Sequence, residues 1–198
     1  MLAAALVCAL LPGSARAAEI EWLSVRYADA LDLDLRALID APVPRVAAVL
    51  DSPRDLALLL PGARSVRVLA GAPAGARRLR IRLQGCLLFF CPSLTDVMDL
   101  HPDRGGFVGI TVPALSDFSD GRLRWRYLAA PGGRTQLVLR AHLVPKIWVP
   151  PVIGPFLIEA KVRRQLQATV RRLERAARGE PIRRPSRPAP VNIPGFNF

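Results

Sequence analysis

ALIDAPVPRVAAVLDSPRDLALLLPGARSVRVL, residues 37–69, changes its hydrophobic period twice within about thirty residues. Just ahead of it Leu31, Leu33 and Leu35 alternate with Asp32, Asp34 and Arg36, the period-two pattern of a half-buried strand that runs on toward Ile39. Pro42 and Pro44 then stop strand pairing. Val46, Val49 and Leu50 recur at helical spacing, Ser52 offers an N-cap with Pro53 at the first helical position, and Leu56, Leu59 and Leu60 supply a second apolar face. Pro61 and Gly62 end that helix, after which Val66 and Val68 alternate with Arg67 in a new strand. Strand, helix, helix, strand is the order this stretch imposes.

Downstream the period stays near two. Gly71 to Gly75 reads as a turn, and Leu79, Ile81 and Leu83 alternate with Arg78, Arg80 and Arg82 to give one apolar and one cationic face. Leu94 to Leu100 is the next strand, His101 to Gly106 a hairpin turn containing Pro102 and Asp103, and Phe107 to Val112 the strand after it. Leu123, Trp125 and Tyr127 then alternate with Arg122, Arg124 and Arg126. Pro131 to Gly133 turns the chain into Gln136 to Leu143, where Leu137, Leu139 and Ala141 share a face. With the first strand this makes about seven antiparallel strands. Beyond Pro150 and Pro151, Pro155 suits a first helical turn, and Ile158, Val162, Leu166, Thr169, Leu173 and Ala176 form one stripe. The other face of that helix carries Lys161, Arg163, Arg164, Arg171, Arg172, Arg175 and Arg178. Such a stripe serves as core cover or, less commonly, lies on an anionic membrane. The fold class expected is α+β: a helix-grip fold, with a curved antiparallel sheet around a long C-terminal helix and two short helices after the first strand.

Three segments carry a family likeness: IDAP at Ile39 to Pro42, VAAVLDSPRDLALLLPGARSVRVL at 46–69, and the apolar-basic helix after Pro155. Through them Leu31 to Arg178 resembles the START-like (SRPBCC) superfamily of lipid-transfer domains, polyketide cyclases and coenzyme Q-binding proteins. The resemblance implies a fold and a habit of binding apolar ligands, and it implies no particular reaction. The expected function is binding, with or without transport, of a hydrophobic small molecule: a lipid, an isoprenoid quinone or a polyketide-like compound. Burial against apolar side chains, at about 25 cal/mol per Å², would hold the ligand, and a few polar groups would orient its head. The expected cavity lining is Leu79, Ile81, Leu83, Met98, Leu100, Trp125, Tyr127, Leu137 and Leu139 from the sheet with Ile158, Val162 and Leu166 from the helix. Trp125 and Tyr127 each bring one hydrogen-bond donor. Every one of these residues can equally fill a solid core. The alternatives are a cyclase or dehydratase of the same fold, and an envelope interaction protein that uses the basic helix and tail.

Composition agrees with one domain: 198 residues, 51% hydrophobic and 22% charged, enough to bury a sizeable core. Residues 1–17 read as a secretory signal. Leu2 to Leu11 is apolar but too short to span a bilayer, and Ala15-Arg16-Ala17 is a small-x-small cleavage site. No Lys or Arg precedes Arg16, which leaves a retained anchor or a buried N-terminal helix as alternatives. Residues 18–30 then form an N-terminal segment, 31–178 the START-like domain, and 179–198 a Pro/Arg-rich tail without regular structure. The expected location is the periplasm or the exterior. Export favours a disulfide between Cys86 and Cys91, through a bulge or tight turn at Leu87 to Phe90, over two buried thiols.

The chemistry implied is sparse. No GxSxG, HExxH, CxxC, P-loop or dinucleotide fingerprint occurs, so no cofactor is expected, and His101 and His142 stand too far from other ligands to suggest a metal. The net charge of +12 favours peripheral contact with an anionic membrane surface, or is simply a solvated face. Nucleic acid is not expected, because the few aromatics are not interleaved with the arginines. Acid–base candidates are Asp96, Asp99, Asp117, Asp120, His101 and His142. Asp117 and Asp120, next to Gly121, suit a turn, and His142 falls on the solvent side of its strand.

Overall fold

The computed structural model describes residues 18–85, 92–147, 149 and 154–182. Eight strands build one antiparallel sheet: β1 (Glu19–Tyr27), β2 (Leu31–Ile39), β3 (Ala63–Leu69), β4 (Arg77–Gln84), β5 (Ser93–Asp103), β6 (Gly106–Thr111), β7 (Phe118–Ala130) and β8 (Arg134–Pro145). Three helices join them, α1 (Val43–Asp51), α2 (Pro53–Leu59) and the long α3 (Gly154–Ala177). The spatial order is β1-β2-β8-β7-β6-β5-β4-β3. β3 to β8 form a meander of hairpins, so α1 and α2 are the segment that carries the chain from β2 to the far edge at β3. The sheet curves around α3 as a helix grip.

Local chemistry accounts for that crossing. Pro42 caps α1 with Pro44 in its first turn, and Ser52, extended between the two helices, accepts a hydrogen bond from Asp55 N at 3.2 Å. Gly62 leaves α2 at φ +83°, where a Cβ would stand 2.7 Å from the Gln84 carbonyl oxygen, so the entry to β3 requires glycine. At the other end Gly179, with φ +86°, closes α3 as its N–H donates to Ala176 O at 2.8 Å.

The core lies between the inner face of the sheet and the helices. Leu35, Ala37 and Ile39 of β2, Leu137 and Leu139 of β8, Val46 and Leu50 of α1, Leu59 of α2, and Val170 and Leu173 of α3 are all buried in one cluster. α3 rests mainly on β1 and β2 and on α1 and α2, and makes at most marginal contact with β3 to β8. Burial on α3 is accordingly uneven. Thr169, Val170, Leu173, Glu174 and Ala177 are buried near its C-terminal end, whereas Ile158, Val162 and Leu166 are only half-buried. Arg178 ties that end to the sheet, reaching Asp40 Oδ2 and Glu174 Oε1, each at 2.7 Å.

Three expectations change. Eight strands replace about seven, because the segment at 18–30 contains β1; a register shift between Ile20 and Trp22 breaks the alternation that would have revealed it. The turn expected at His101 to Gly106 is shorter, since β5 continues through Pro102 to Asp103 and the reversal falls on Arg104 and Gly105, the latter at φ +68°. The expected tail at 179–198 begins with ordered residues, Ile182 packing on the core. Residues 1–17, Cys86, Cys91 and 183–198 lie outside the described residues, so the signal, the disulfide and the rest of the tail do too.

Candidate ligand-binding pocket

Register fixes which side chains face inward. Leu79 stands opposite Met98, Arg77 opposite Leu100, Pro102 opposite Phe107, and Phe107 opposite Trp125, which in turn faces Leu139. The twelve expected lining residues divide into two sets. Leu79, Met98, Leu100, Trp125, Leu137 and Leu139 are buried members of the core, with Tyr127 and Leu166 packed against it. Ile81, Leu83, Ile158 and Val162 are half-buried and lie outside that cluster. They belong to the end where α3 approaches β4, as a Cβ on Gly85 would sit 3.0 Å from Lys161 Nζ. Burial, with Arg164 adding to it, pulls the Lys161 ammonium below its ordinary range.

At the opposite end the inner face opens into a pocket of about 470 Å³ between the end of α1 and the strands β4 to β7. Leu100 and Phe107 form its apolar wall, and Phe107 packs on Trp125 with ring centroids 6.3 Å apart at 35°. Its rim is polar: Asp51 ends α1, Arg77 Nη1 donates to the Asp51 carbonyl at 2.9 Å, and Tyr127 completes the wall. The Tyr127 hydroxyl has no hydrogen-bond partner among the described residues, and burial, helped by the Asp51 charge, raises its pKa. A neutral donor above an apolar wall can orient the polar head of an otherwise apolar molecule.

One carboxyl interrupts the inner face. Asp96 is 4% exposed, opposite Ile81, and accepts a hydrogen bond from Thr111 Oγ1 at 3.1 Å. Gly121 makes room for that threonine, because a Cβ there would run into Thr111 Oγ1. Burial pushes the Asp96 carboxyl up to about 6, against the lowering effect of the Thr111 hydrogen bond and of the nearby Ser116 hydroxyl.

The other acid–base candidates lie elsewhere. Asp99 is on the outer face, gripped by Arg78 through Nε–Oδ1 at 2.7 Å and Nη2–Oδ2 at 2.8 Å, which holds its carboxyl below the usual range. Asp117 accepts from Thr95 N at 2.7 Å, a long-range bond to β5, and Asp120 accepts from Gly121 N at 2.8 Å inside β7; a strand stands where a turn was expected, because β8 pairs with Asp120 and Gly121. His142 is exposed as expected, with Nδ1 2.7 Å from Asp32 Oδ1. His101 follows the outer parity of Asp99. Among the described residues no cluster of His, Cys, Asp and Glu suited to a metal occurs, and no helix is long and apolar enough to cross a membrane.

Sequence reasoning missed Phe107, Arg77 and Asp51 as pocket residues. Phe107 begins a strand whose inner positions Gly109 and Thr111 are small or polar, so no apolar alternation marked it. Arg77 and Asp51 come together only through the long crossing of α1 and α2.

Comparison with known proteins agrees with this architecture. In solved structures the fold matches the Zhui aromatase/cyclase of a Streptomyces species at 21% identity and a TM-score of 0.56, covering 74% of this chain and 94% of that one. It also matches a START superfamily protein from Mycobacterium smegmatis at 15% identity and a TM-score of 0.57, over 73% of this chain and 97% of that one. A STAR-related lipid transfer protein from Xanthomonas axonopodis aligns at 12% identity and a TM-score of 0.55, over 79% and 98%. Identities this low establish the fold alone. No curated protein matches the chain. The family model described as polyketide cyclase / dehydrase and lipid transport matches residues 31–178, the span that holds β2 to β8, all three helices and every residue of the pocket. By that match the chain belongs to the polyketide cyclase/dehydrase and lipid transport family.

Proposed function

We propose that this domain binds a hydrophobic small molecule with one polar head in the pocket bounded by Leu100, Phe107 and Tyr127. The observation that carries the reading is the combination of an apolar wall with a hydroxyl that lacks a protein partner, in a volume of about 470 Å³. Pockets of about 300–1,000 Å³ with few polar groups are the usual size for small ligands. The apolar body gains from leaving water, and Asp51, Arg77 and Tyr127 select the head. The apolar stretch at residues 2–11 supports export, and with it binding in the periplasm or outside the cell.

Ala76 lines the rim without belonging to the core, so Ala76→Trp blocks the pocket at small cost to the fold. The neutral fluorophore N-phenyl-1-naphthylamine is expected to bind the wild type saturably and the variant at least about tenfold more weakly, a loss of about 1.4 kcal/mol. Equal binding by a variant that melts like the wild type refutes the assignment.

A second reading, cyclase or dehydratase chemistry, is favoured by Asp96. A carboxyl on the inner face whose pKa burial raises to about 6 has the proton affinity suited to a general base at neutral pH. Asp96→Asn should then abolish cyclisation of a poly-β-ketone substrate by about 10²-fold or more while fluorophore binding persists. Turnover unaffected by this substitution removes the reading.

A further inference from the structure

We infer that a groove on the outer face of the sheet, opposite the pocket, binds a hydroxylated organic phosphate. Two cross-strand rows build it. Ser24, Asp34, Arg140 and Arg124 stand opposite one another along β1, β2, β8 and β7, and beside them run Arg26, Asp32, His142 and Arg122. These side chains surround a groove of about 500 Å³. Four arginines face two aspartates in it.

The charges in this groove are poorly settled by the protein itself. Arg124 and Arg140 are direct cross-strand partners, a placement in which like charges repel. Each meets a carboxylate only at 3.4 Å, Arg124 at Asp103 and Arg140 at Asp34, and each guanidinium stays more than half exposed. Arg26 and Arg122 have no carboxylate partner among the described residues. Asp34 Oδ1, by contrast, is buried and accepts no hydrogen bond among the described residues. An orphaned buried acceptor costs free energy, so the Asp34 carboxylate is incompletely satisfied by the chain. Asp32 holds the His142 ring from Nδ1, which leaves the second ring nitrogen for another partner.

One ligand chemistry answers both features. A phosphate accepts paired N–H donors from the forked guanidinium groups, and it relieves the repulsion between Arg124 and Arg140. A hydroxyl a few bonds away donates to the open side of the Asp34 carboxylate, whose side chain is 31% exposed. A glycerol-type lipid headgroup and a soluble polyol phosphate share this chemistry, and the test separates them.

The full chain is titrated calorimetrically with glycerol 3-phosphate and with inorganic phosphate, and sedimented with phosphatidylglycerol or phosphatidylcholine vesicles. Saturable binding of glycerol 3-phosphate, tighter than inorganic phosphate, is expected. Arg122→Gln should weaken it about tenfold, as loss of a charge-assisted hydrogen bond does, and Asp34→Asn should erase the preference over inorganic phosphate. Retention on phosphatidylglycerol vesicles that glycerol 3-phosphate competes away assigns the headgroup; binding of glycerol 3-phosphate without vesicle retention assigns the soluble ester. The inference is overturned if neither phosphate probe binds saturably and vesicles do not retain the protein. It is equally overturned if Arg122→Gln, melting as the wild type does, binds unchanged.

Discussion

Replacing Asp96 by Asn is expected to stabilise the fold at neutral pH, and the pH dependence of the gain is diagnostic. The carboxyl is 4% exposed, and burial raises its pKa from 3.8 to about 6. The folded state therefore holds the Asp96 proton more tightly than the unfolded chain does. Between about pH 4 and pH 6 the native state binds more protons than the unfolded state, so stability falls as pH rises through that window and stays lower above it. A shift of about two pKa units at about 1.4 kcal/mol each sets the upper limit of the penalty near 3 kcal/mol. Asn keeps the shape and an oxygen that accepts from Thr111 Oγ1, yet carries no charge. Urea unfolding followed by circular dichroism at pH 4, 5, 6, 7 and 8 should show variant and wild type close together at pH 4. The gap should widen to about 2–3 kcal/mol by pH 7 and remain constant to pH 8. A difference that does not change with pH, or an Asn variant less stable than the wild type at pH 7, refutes the assignment of a buried, upshifted carboxyl.

Other substitutions probe the joints of the fold by the same denaturation assay. Ser52→Ala removes the acceptor for Asp55 N at the start of α2 and should cost about 1 kcal/mol. Gly62→Ala forces a side chain into φ +83° and toward the Gln84 carbonyl, with an expected loss of about 1–3 kcal/mol. Arg178→Met leaves the buried Glu174 without the cation 2.7 Å away. A loss of about 3 kcal/mol at pH 8 is expected. Burial already raises the Glu174 pKa, so its protonation at low pH should shrink that deficit; a loss equal at pH 4 and pH 8 would show that Arg178 acts through packing alone.

Most of the fold was legible because its signals are local. The change of period between residues 31 and 69, the cap at Ser52 and the stop at Gly62 each act within a few residues, and they appear where the pattern puts them. β1 escaped because its alternation is broken by the register shift near Trp22, while its pairing to β2 is tertiary information. The end of β5 escaped for a related reason. Pro102 and Asp103 favour a turn locally, yet pairing with Phe107 and Gly106 carries the strand past them.

The pocket was legible only as a face, because alternation tells which way a side chain points and not what meets it there. Leu79 and Ile81 are two residues apart on the same side of β4, yet Leu79 is sealed in the core and Ile81 is half open. What separates them is where the helices sit. α3 bears on β1, β2 and the two short helices, α1 and α2 bear on β7, β8 and β3, and most buried residues of α3 lie toward its C-terminal end, so sealing varies along each strand as well as across the sheet. Met98, Trp125 and Leu139 belong to the buried cluster built with α1, α2 and the C-terminal part of α3, whereas Ile81, Leu83, Ile158 and Val162 lie outside it. The polar rim is further still from local reading. Asp51 and Arg77 are 26 residues apart and meet only because two short helices span the sheet. If the pocket works as proposed, its selectivity is set by that crossing, and changes at the α1–α2 junction around Ser52 should alter which head groups bind before they alter how much apolar surface is buried.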